Sequence, residues 1–474
     1  MFAPHLPHDD WALAYFILEW LVRLGFIAVI LPGRPPAAAR IWLLFGFLLP
    51  IPAALVYALI GRTRNPPRRQ ERERLARFAR QSWLARLPAS SEPPAPSSLA
   101  AFIDGIGGNP VSRGNAVYLL TDYEATVDTL VEAIGQARYH VRLMAYILAD
   151  DRVGRRIIDA LQGALARGVR VKVMYDALGS RPWRRRVAHL LREAGIEARA
   201  CNAYNPLTGG TGRLDRRNHR KIYVIDDTLA FIGSQNLVRR DFRKGVVNHE
   251  VMVRVEGPLA AELGAQFVVD WLADGGTEAD WPRVPQAPGD SGGITAQLLP
   301  SGPDEPLPAY TLLLSRLLQE ARQSVLIASP YTVLDEGLQL AVTTTALRGV
   351  DVTLLVSAVV DQPLVRLAQE AGYAPLLDAG VTIREYETGL LHAKYVLVDD
   401  TLAIIGTSNA DIRSFQINSE ISLVSQDPAL VSAMATIARQ HLAQSHAVTP
   451  AQWATRPLGR RMAQRVAALA SPLL

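Results

Sequence analysis

Two histidine-lysine pairs have the residue types and the spacing needed to act on a phosphate. They occur in "NHRKIYVIDDTLAFIGSQN", residues 218–236, and in "LHAKYVLVDDTLAIIGTSN", residues 391–409, so matched residues are separated by 173 positions. Residues at i and i+2 of a strand point to the same face, which places His219 beside Lys221 and His392 beside Lys394. One such pair carries little information, but two pairs at one offset predict a repeat whose halves share a site.

Two imidazoles and two ammonium groups around one phosphodiester can perform a two-step transfer. One histidine attacks phosphorus in line and forms a phosphoryl-histidine, while the other protonates the leaving alcohol and later deprotonates the incoming one. The two lysines, with Asn236 and Asn409, would stabilise charge on the non-bridging oxygens. Ser234 and Thr407 belong to the same Gly-Ser-x-Asn and Gly-Thr-x-Asn turns and are also predicted to bind phosphate. This chemistry needs neither a metal nor a cofactor, and none is predicted.

Carboxylates follow each histidine-lysine pair at two positions. A nucleophilic imidazole needs a partner that holds its tautomer, and Glu250 and Glu420 are each predicted to orient the histidine of their own half. A surface salt bridge is the alternative for Glu250. Asp226 and Asp399 complete a His-Lys-Asp motif and are grouped with its catalytic residues, but an Asp-Asp pair that closes an apolar run favours a structural role in a turn.

The segments upstream of the motifs indicate how the chain positions them. "QARYHVRLMAYIL" and "EARQSVLIASPYTV" each run from a helix end into a buried strand, and "ALARGVRVKVMYD" and "ALRGVDVTLLVS" each give a helix, a glycine turn and another strand. This alternation indicates an α/β fold with a largely buried mixed sheet in each half. We predict two pseudo-symmetric α/β domains, residues 101–285 and 294–474, joined at the Pro/Gly-rich stretch 281–293 and sharing one cleft.

Two apolar segments precede the repeat. Residues 11–31 carry Glu19 and Arg23 as their charges, spaced so that the two can neutralise one another or face the neighbouring helix, and residues 41–60 carry none. Each segment can cross a hydrocarbon core as a helix, so residues 1–62 are predicted to be a two-helix membrane anchor. Residues 63–100 are predicted to be a basic juxtamembrane segment and a linker. Their arginines place the N-terminus and the C-terminal region in the cytoplasm.

Composition narrows the partners of the chain. A net charge of +5 over 474 residues suits nucleic acid or an anionic phospholipid surface. The single cysteine, Cys201, excludes an intramolecular disulfide framework and a zinc site built on several thiolates. Two membrane spans argue against nucleic acid, so anionic phospholipid and the membrane are the predicted partners. The sequence does not indicate an oligomeric state.

The motifs resemble those of the phospholipase D superfamily, whose signature is the HKD motif followed by Gly-Ser/Thr-x-Asn. Within it, the chain is similar to bacterial cardiolipin synthases in "GRPPAAARIWLL", "YNPLTGGTGRLDRRNHRK", "GTSNADIRSFQINSE" and "LASPLL". The resemblance implies that one phosphatidylglycerol transfers its phosphatidyl group to another, giving cardiolipin and glycerol, in a multi-pass inner-membrane protein whose catalytic domains face the cytoplasm. It also implies that His219 is the nucleophile and His392 the acid/base. "SAVVDQPLVRLA" departs from many relatives and leaves the acceptor side open.

Other functions share part of this pattern. A hydrolytic phospholipase D, or a transphosphatidylase that uses another alcohol, differs only in what resolves the intermediate, and the membrane anchor favours a lipid acceptor. A nuclease with the same chemistry is disfavoured by the two spans. A catalytically inactive membrane scaffold is disfavoured because histidine, lysine and asparagine are intact in both repeats.

Overall fold

A computed structural model describes residues 10–34, 36–61, 65–88, 95, 98–203, 214–277, 280–285 and 293–469. The chain forms two compact units: Met1–Glu71 with Ala203–Arg216, and Arg72–Asn202 with Arg217–Leu474. The predicted juxtamembrane segment and linker at 63–100 and the predicted joint at 281–293 lie partly outside the described residues. The predicted domain boundaries therefore stay predictions.

Seventeen α-helices occur in the part of the chain that the structure describes. In chain order they are α1 (Asp10–Ile30), α2 (Pro36–Leu48), α3 (Pro50–Val56), α4 (Pro67–Leu84), α5 (Leu99–Gly105), α6 (Tyr123–Gln136), α7 (Arg152–Ala166), α8 (Arg184–Glu193), α9 (Pro258–Ala273), α10 (Ala309–Glu320), α11 (Glu336–Leu347), α12 (Pro363–Ala371), α13 (Tyr373–Asp378), α14 (Ile412–Gln416), α15 (Pro428–Ala443), α16 (Pro450–Ala454) and α17 (Leu458–Leu469).

Twenty strands accompany these helices in the same described ranges. They are β1 (Ser112–Leu120), β2 (His140–Ala145), β3 (Arg170–Asp176), β4 (Glu197–Cys201), β5 (Arg217–Asn218), β6 (Ile222–Ile225), β7 (Leu229–Gly233), β8 (Asn248–His249), β9 (Met252–Glu256), β10 (Ile294–Ser301), β11 (Ser324–Ala328), β12 (Thr332–Val333), β13 (Asp351–Ser357), β14 (Thr382–Tyr386), β15 (Leu390–Leu391), β16 (Tyr395–Val398), β17 (Leu402–Gly406), β18 (Ala410–Asp411), β19 (Asn418–Ser425) and β20 (Ser445–Ala447).

Among the described residues of the first unit, one helix is long and apolar enough to span a membrane, Trp11–Ile30. Within it Arg23 and Glu19 pair at 2.9 Å, which confirms that the two charges can neutralise one another. The second predicted span is not one continuous helix. It divides at Leu49 into α2 and α3, because Pro50 and Pro52 lack the N–H groups that a continuous helix would donate to the preceding turn.

The second unit is built on one mixed sheet of sixteen strands. Its order is β4-β3-β2-β6-β7-β9-β1 and then β10-β19-β17-β16-β11-β13-β14-β20, with β5 attached to β19. The halves share two parallel pairings, β4-β3-β2 in the first and β14-β13-β11 in the second, followed by antiparallel pairings towards the centre. The second half differs in its outermost strand, β20, which pairs antiparallel with β14. Antiparallel pairing of β1 with β10 makes the sheet continuous. The predicted α/β class and the mixed character of the sheet are confirmed, but one sheet runs through both halves where a sheet in each half was expected.

Apolar side chains cover both faces of this sheet. Alternate residues of β6 and β16 enter different hydrophobic clusters, as the period of two along a strand requires. Helices α9 and α15 pack on one face across both halves. The opposite face packs against α6, α7 and α8 in the first half and against α10, α11 and α13 in the second. Two buried faces explain the long apolar strands next to each motif.

Two short ladders bring the motifs of the two halves together. Strand β5, just before His219, pairs in parallel with β19 of the second half, and β15, just before His392, pairs in parallel with β8 of the first. The amide of His219 donates to Ser419 O at 2.9 Å, and that of His392 donates to His249 O at 2.8 Å. Each motif is therefore held by the backbone of the other half.

Candidate active site

A cavity of about 340 Å³ is lined by side chains from both motifs. His219 and His392 lie on its wall, together with Asn236 and Asn409. Each histidine is only 8% exposed. Its other lining residues are Tyr146, Ile147, Leu178, Arg217, Phe242, Arg243, Asn248, Tyr331, Val333, Gln362, Val365, Asp411, Ile412, Arg413 and Asn418. The structure thus brings together two residues that are 173 positions apart in the sequence.

Each histidine is bound by the glutamate of the opposite half. His219 Nδ1 lies 3.0 Å from the Glu420 carboxylate, and His392 Nδ1 lies 2.8 and 2.9 Å from the two oxygens of Glu250. The predicted pairing within each half is wrong. The β5–β19 ladder sets His219 beside the strand that carries Glu420, and the β15–β8 ladder sets His392 beside the strand that ends just before Glu250. The alternative surface salt bridge for Glu250 is also wrong, since that side chain is buried.

The crossed pairs fix the tautomer of both imidazoles. An ionised carboxylate only accepts hydrogen bonds, so Nδ1 of each histidine carries a proton and Nε2 is the nitrogen left for the cavity. Burial lowers the pKa of His219, and it lowers that of His392 to about 3. Burial opposes ionisation of Glu250, but the His392 and Lys394 interactions outweigh it and hold the pKa of Glu250 at about 2. At neutral pH both Nε2 atoms therefore present a lone pair.

Both motif lysines are buried beside the histidines. Lys221 Nζ donates to His219 O at 2.6 Å, and Lys394 Nζ donates to His392 O. Burial lowers the pKa of Lys221 to about 7 and that of Lys394 to about 8. Their charges depress the pKa of both histidines, which shows that the four groups form one electrostatic cluster. A phosphate that enters the cavity would offset the positive charge of the two lysines in that cluster.

The two asparagines line the cavity with different hydrogen bonds. Asn236 Oδ1 accepts from the Ile147 amide at 3.0 Å, which leaves its Nδ2 group as a donor for phosphate. Asn409 Nδ2 instead donates to Asp411 at 3.0 Å. Asn236 therefore has the geometry expected of a phosphate ligand, whereas Asn409 first supports Asp411, and its predicted contact with phosphate stays a prediction.

Comparison with known proteins decides the family. A family model described as a cardiolipin synthase, phospholipase D-like domain matches residues 130–271 and 314–442. Cardiolipin synthase A of Edwardsiella ictaluri is 33% identical over 97% of this chain and 99% of its own length, and that of Serratia proteamaculans is 32% identical over the same shares. The chain belongs to the cardiolipin synthase family.

A solved structure supports the fold of this family member. Phosphatidylserine synthase of Haemophilus influenzae superposes with a TM-score of 0.55 at 16% identity, covering 76% of this chain and 95% of the other. At that identity, the likeness concerns the fold alone.

Thr407 lies against β19, which carries Glu420, and Ser234 lies against Val251, the residue that follows Glu250. Thr407 Oγ1 donates to Glu420 at 2.6 Å and accepts from the Ile421 amide at 2.9 Å. Ser234 Oγ donates to the carbonyl of Val251 and accepts from the amide of the same residue. Both are fully buried and neither lies on the cavity wall. In this cardiolipin synthase family member they position the glutamates, which corrects their predicted contact with phosphate.

Asp226 and Asp399 serve the hairpin turns, not the cavity. Each adopts a left-handed conformation, with φ of 52° and 51°, in the tight turn between two strands. The Asp226 carboxylate accepts from three successive amides, residues 138–140, at 2.7 to 2.9 Å, and the Asp399 carboxylate accepts from those of residues 322–324. Their grouping with the catalytic residues is corrected, and the structural role in a turn is confirmed.

Sequence reasoning missed two groups beside His219. The Tyr146 ring lies 5.0 Å from the His219 ring and 5.5 Å from Lys221 Nζ, and burial raises its pKa to about 12. Ser414 Oγ donates to Glu420 at 2.9 Å. Tyr146 directly follows β2 and belongs to no motif. Ser414, within "NADIRSFQINSE", lies six residues before Glu420, and this proximity in the sequence is the signal that could have indicated the contact.

The lysine pKa values predict an alkaline limit to activity. Only the protonated ammonium groups attract phosphate. Because burial lowers the pKa of Lys221 to about 7 and that of Lys394 to about 8, both lysines lose their protons as the pH rises past these values. We expect kcat/KM for phosphatidylglycerol to fall above about pH 8, and kcat to fall at a higher pH because bound phosphate favours the charged lysines. Initial rates across this range provide the measurement. A kcat/KM that stays constant to about pH 10 would contradict the expectation.

Proposed function

We propose that this chain is a cardiolipin synthase that transfers a phosphatidyl group between two phosphatidylglycerol molecules and releases glycerol. The observation that carries the proposal is the pair of histidines in one cavity, each with Nδ1 bound to a buried glutamate and each beside a buried lysine. A single phosphodiester between them meets one nucleophile and one acid/base. The membership in the cardiolipin synthase family selects the lipid substrate.

In the first step His219 Nε2 attacks phosphorus. A P–N bond forms, the bond from phosphorus to the glycerol oxygen breaks, and protonated His392 gives its proton to that oxygen. Burial alone disfavours protonation of His392, but the negative charge of a bound phosphate favours it. The lysines and Asn236 stabilise charge on the non-bridging oxygens.

In the second step the acceptor lipid resolves the intermediate. A hydroxyl oxygen of its glycerol headgroup attacks phosphorus, His392 takes the hydroxyl proton, and the P–N bond to His219 breaks. The products are cardiolipin, free His219 and protonated His392, which is the state in which the first step began. The same intermediate would also react with water or with another alcohol, so exclusion of water and supply of lipid decide the outcome.

Membrane attachment supports the lipid acceptor. Helix α1 forms one span, and α2 with α3 would form the second as an interrupted crossing. In this arrangement the arginine-rich stretch 61–80 places the catalytic region in the cytoplasm of a bacterial inner-membrane protein. The two repeats, 101–285 and 294–474, would act as pseudo-symmetric domains that each contribute one histidine. The common strand order of the two halves supports this division.

Product analysis tests the proposed function. Purified full-length protein in phosphatidylglycerol vesicles with a metal chelator should form cardiolipin and glycerol in equal amounts, because no step above requires a metal. Lipid mass spectrometry with a glycerol assay measures both products. Formation of phosphatidic acid alone would show a hydrolase, and a product formed only with added ethanolamine lipid or another alcohol would show a different acceptor.

A further inference from the structure

An ion pair between the two halves forms part of the cavity wall. Arg243, in the loop that follows β7, pairs with Asp361, in the loop that follows β13, and the Tyr331 hydroxyl donates to the same carboxylate. Arg243 and Tyr331 both line the cavity. The mechanism above uses none of these three groups.

The Arg243 side chain is held from several sides while its charge stays accessible. Its guanidinium lies 4.7 Å from the Phe242 ring, which itself packs against Trp183 at 6.2 Å. The Val246 amide donates to Arg243 O at 3.0 Å and closes the loop. The Arg243 side chain is 35% exposed, whereas its partner Asp361 is 3% exposed. The Arg243 guanidinium is therefore held in one position on the cavity wall, and this suits it to bind an anion.

Asp361 is fixed as firmly as its partner. It lies two residues before α12, and the salt bridge of Glu370 with Arg460 attaches α12 to α17. Another arginine on the wall, Arg217, differs from Arg243, since it is almost fully buried and pairs at 3.1 Å with the fully buried Asp176. The charge of Arg217 is thus neutralised within the protein, whereas the more exposed Arg243 can also donate guanidinium hydrogen bonds to a ligand.

The proposed transfer requires a second phosphate in this cavity. Cardiolipin carries two phosphates separated by one glycerol, so the phosphate of the acceptor lipid must lie one glycerol length from the phosphorus that reacts. The two lysines and two histidines serve the donor phosphate. A second phosphate at that distance needs a cation of its own, because like charges repel strongly where water is scarce.

We propose that Arg243 binds the phosphate of the acceptor phosphatidylglycerol, with Asp361 and Tyr331 holding the guanidinium in place. The inference rests on the proposed function and makes Arg243 the residue that favours a lipid acceptor over water or free glycerol. A planar guanidinium binds phosphate oxygens through two parallel hydrogen bonds, which a glycerol molecule without phosphate cannot offer. Arg243 therefore acts in the second transfer and not in formation of the phosphatidyl-histidine.

Two reactions of the same enzyme separate these steps. Cardiolipin formation needs the acceptor phosphate, whereas exchange of isotopically labelled glycerol into phosphatidylglycerol needs only the donor site. In exchange, the labelled glycerol oxygen forms the new bond to phosphorus, the P–N bond breaks, and His392 takes the proton. Both rates are measured on full-length protein in phosphatidylglycerol vesicles.

We expect R243Q to lower the ratio of cardiolipin formation to glycerol exchange about tenfold or more, because a charge-assisted bidentate contact is lost. R243K should restore part of the ratio, since it keeps the charge without the fork. The matched control is R239Q in the same loop, where Arg239 is half exposed and pairs with Asp241 at 3.6 Å. That variant should keep the wild-type ratio.

The exchange rate shows whether R243Q is folded. If R243Q keeps the wild-type ratio of cardiolipin formation to glycerol exchange, whether both rates are unchanged or both fall equally, the second phosphate subsite is overturned. An equal fall of this ratio in R239Q would overturn it too. Wild-type protein that exchanges glycerol but makes no cardiolipin would instead refute the proposed function. The two failures are therefore distinguishable.

Discussion

H219A and H392A each lose cardiolipin formation, with rates on the order of 10³-fold below wild type, because the reaction needs one imidazole as nucleophile and another as acid/base. Neither histidine can replace the other, since both lie on the wall of one cavity and each is held in place by a different glutamate. The measurement is the initial rate of cardiolipin formation by purified full-length variants in phosphatidylglycerol vesicles.

The surface histidine His189 provides the matched control. It is 61% exposed and pairs with Glu193 on α8, so H189A should keep wild-type activity. Substantial activity in H219A or H392A would disprove a site shared by two histidines. Mass spectrometry of trapped enzyme should locate the phosphatidyl group on His219, and an adduct on His392 would reverse the roles of the two residues without changing the chemistry.

The sequence predicts which residues form the site better than it predicts which of them contact one another. Repetition at one offset identifies His219 and His392 as partners because a repeat that buries its apolar strands in one sheet brings equivalent residues to equivalent places. The α/β class follows from alternating strands and helices in the same way. The Asp-Asp pair of each motif likewise predicts a turn, since two successive residues with positive φ strongly favour Asp, Asn or Gly, whereas the grouping of Asp226 and Asp399 with the catalytic residues is wrong.

The crossed glutamates could not be predicted from the sequence. Each glutamate follows the histidine of its own half closely enough to serve it, so spacing favours the wrong partner. Two-residue ladders between β5 and β19 and between β15 and β8 decide the pairing. Such short ladders leave no periodic pattern, because periodicity appears only over several residues. The break in the second apolar segment, by contrast, follows from Pro50 and Pro52, which hydropathy and length do not take into account.

Removing one carboxylate at a time tests the crossed pairing. An amide can still accept the Nδ1 hydrogen bond, so E420Q and E250Q should keep the fold while each removes the negative charge from one histidine. Both glutamates raise the pKa of the histidine they contact. Loss of the charge makes that imidazole less basic and a weaker nucleophile, and cardiolipin formation should fall on the order of 10²-fold in each variant.

The identity of the affected histidine separates the two pairings. Carbethoxylation of individual histidines, followed by peptide mass spectrometry near neutral pH, should slow at His219 in E420Q and at His392 in E250Q, because Glu420 and Glu250 contact those imidazoles across the halves. The reverse pattern would establish pairing within each half and refute the crossed arrangement. T407A provides a graded control, since Thr407 donates to Glu420 at 2.6 Å without contacting His219. Its effect should be smaller and should again fall on His219, because Glu420 of the second half contacts the histidine of the first.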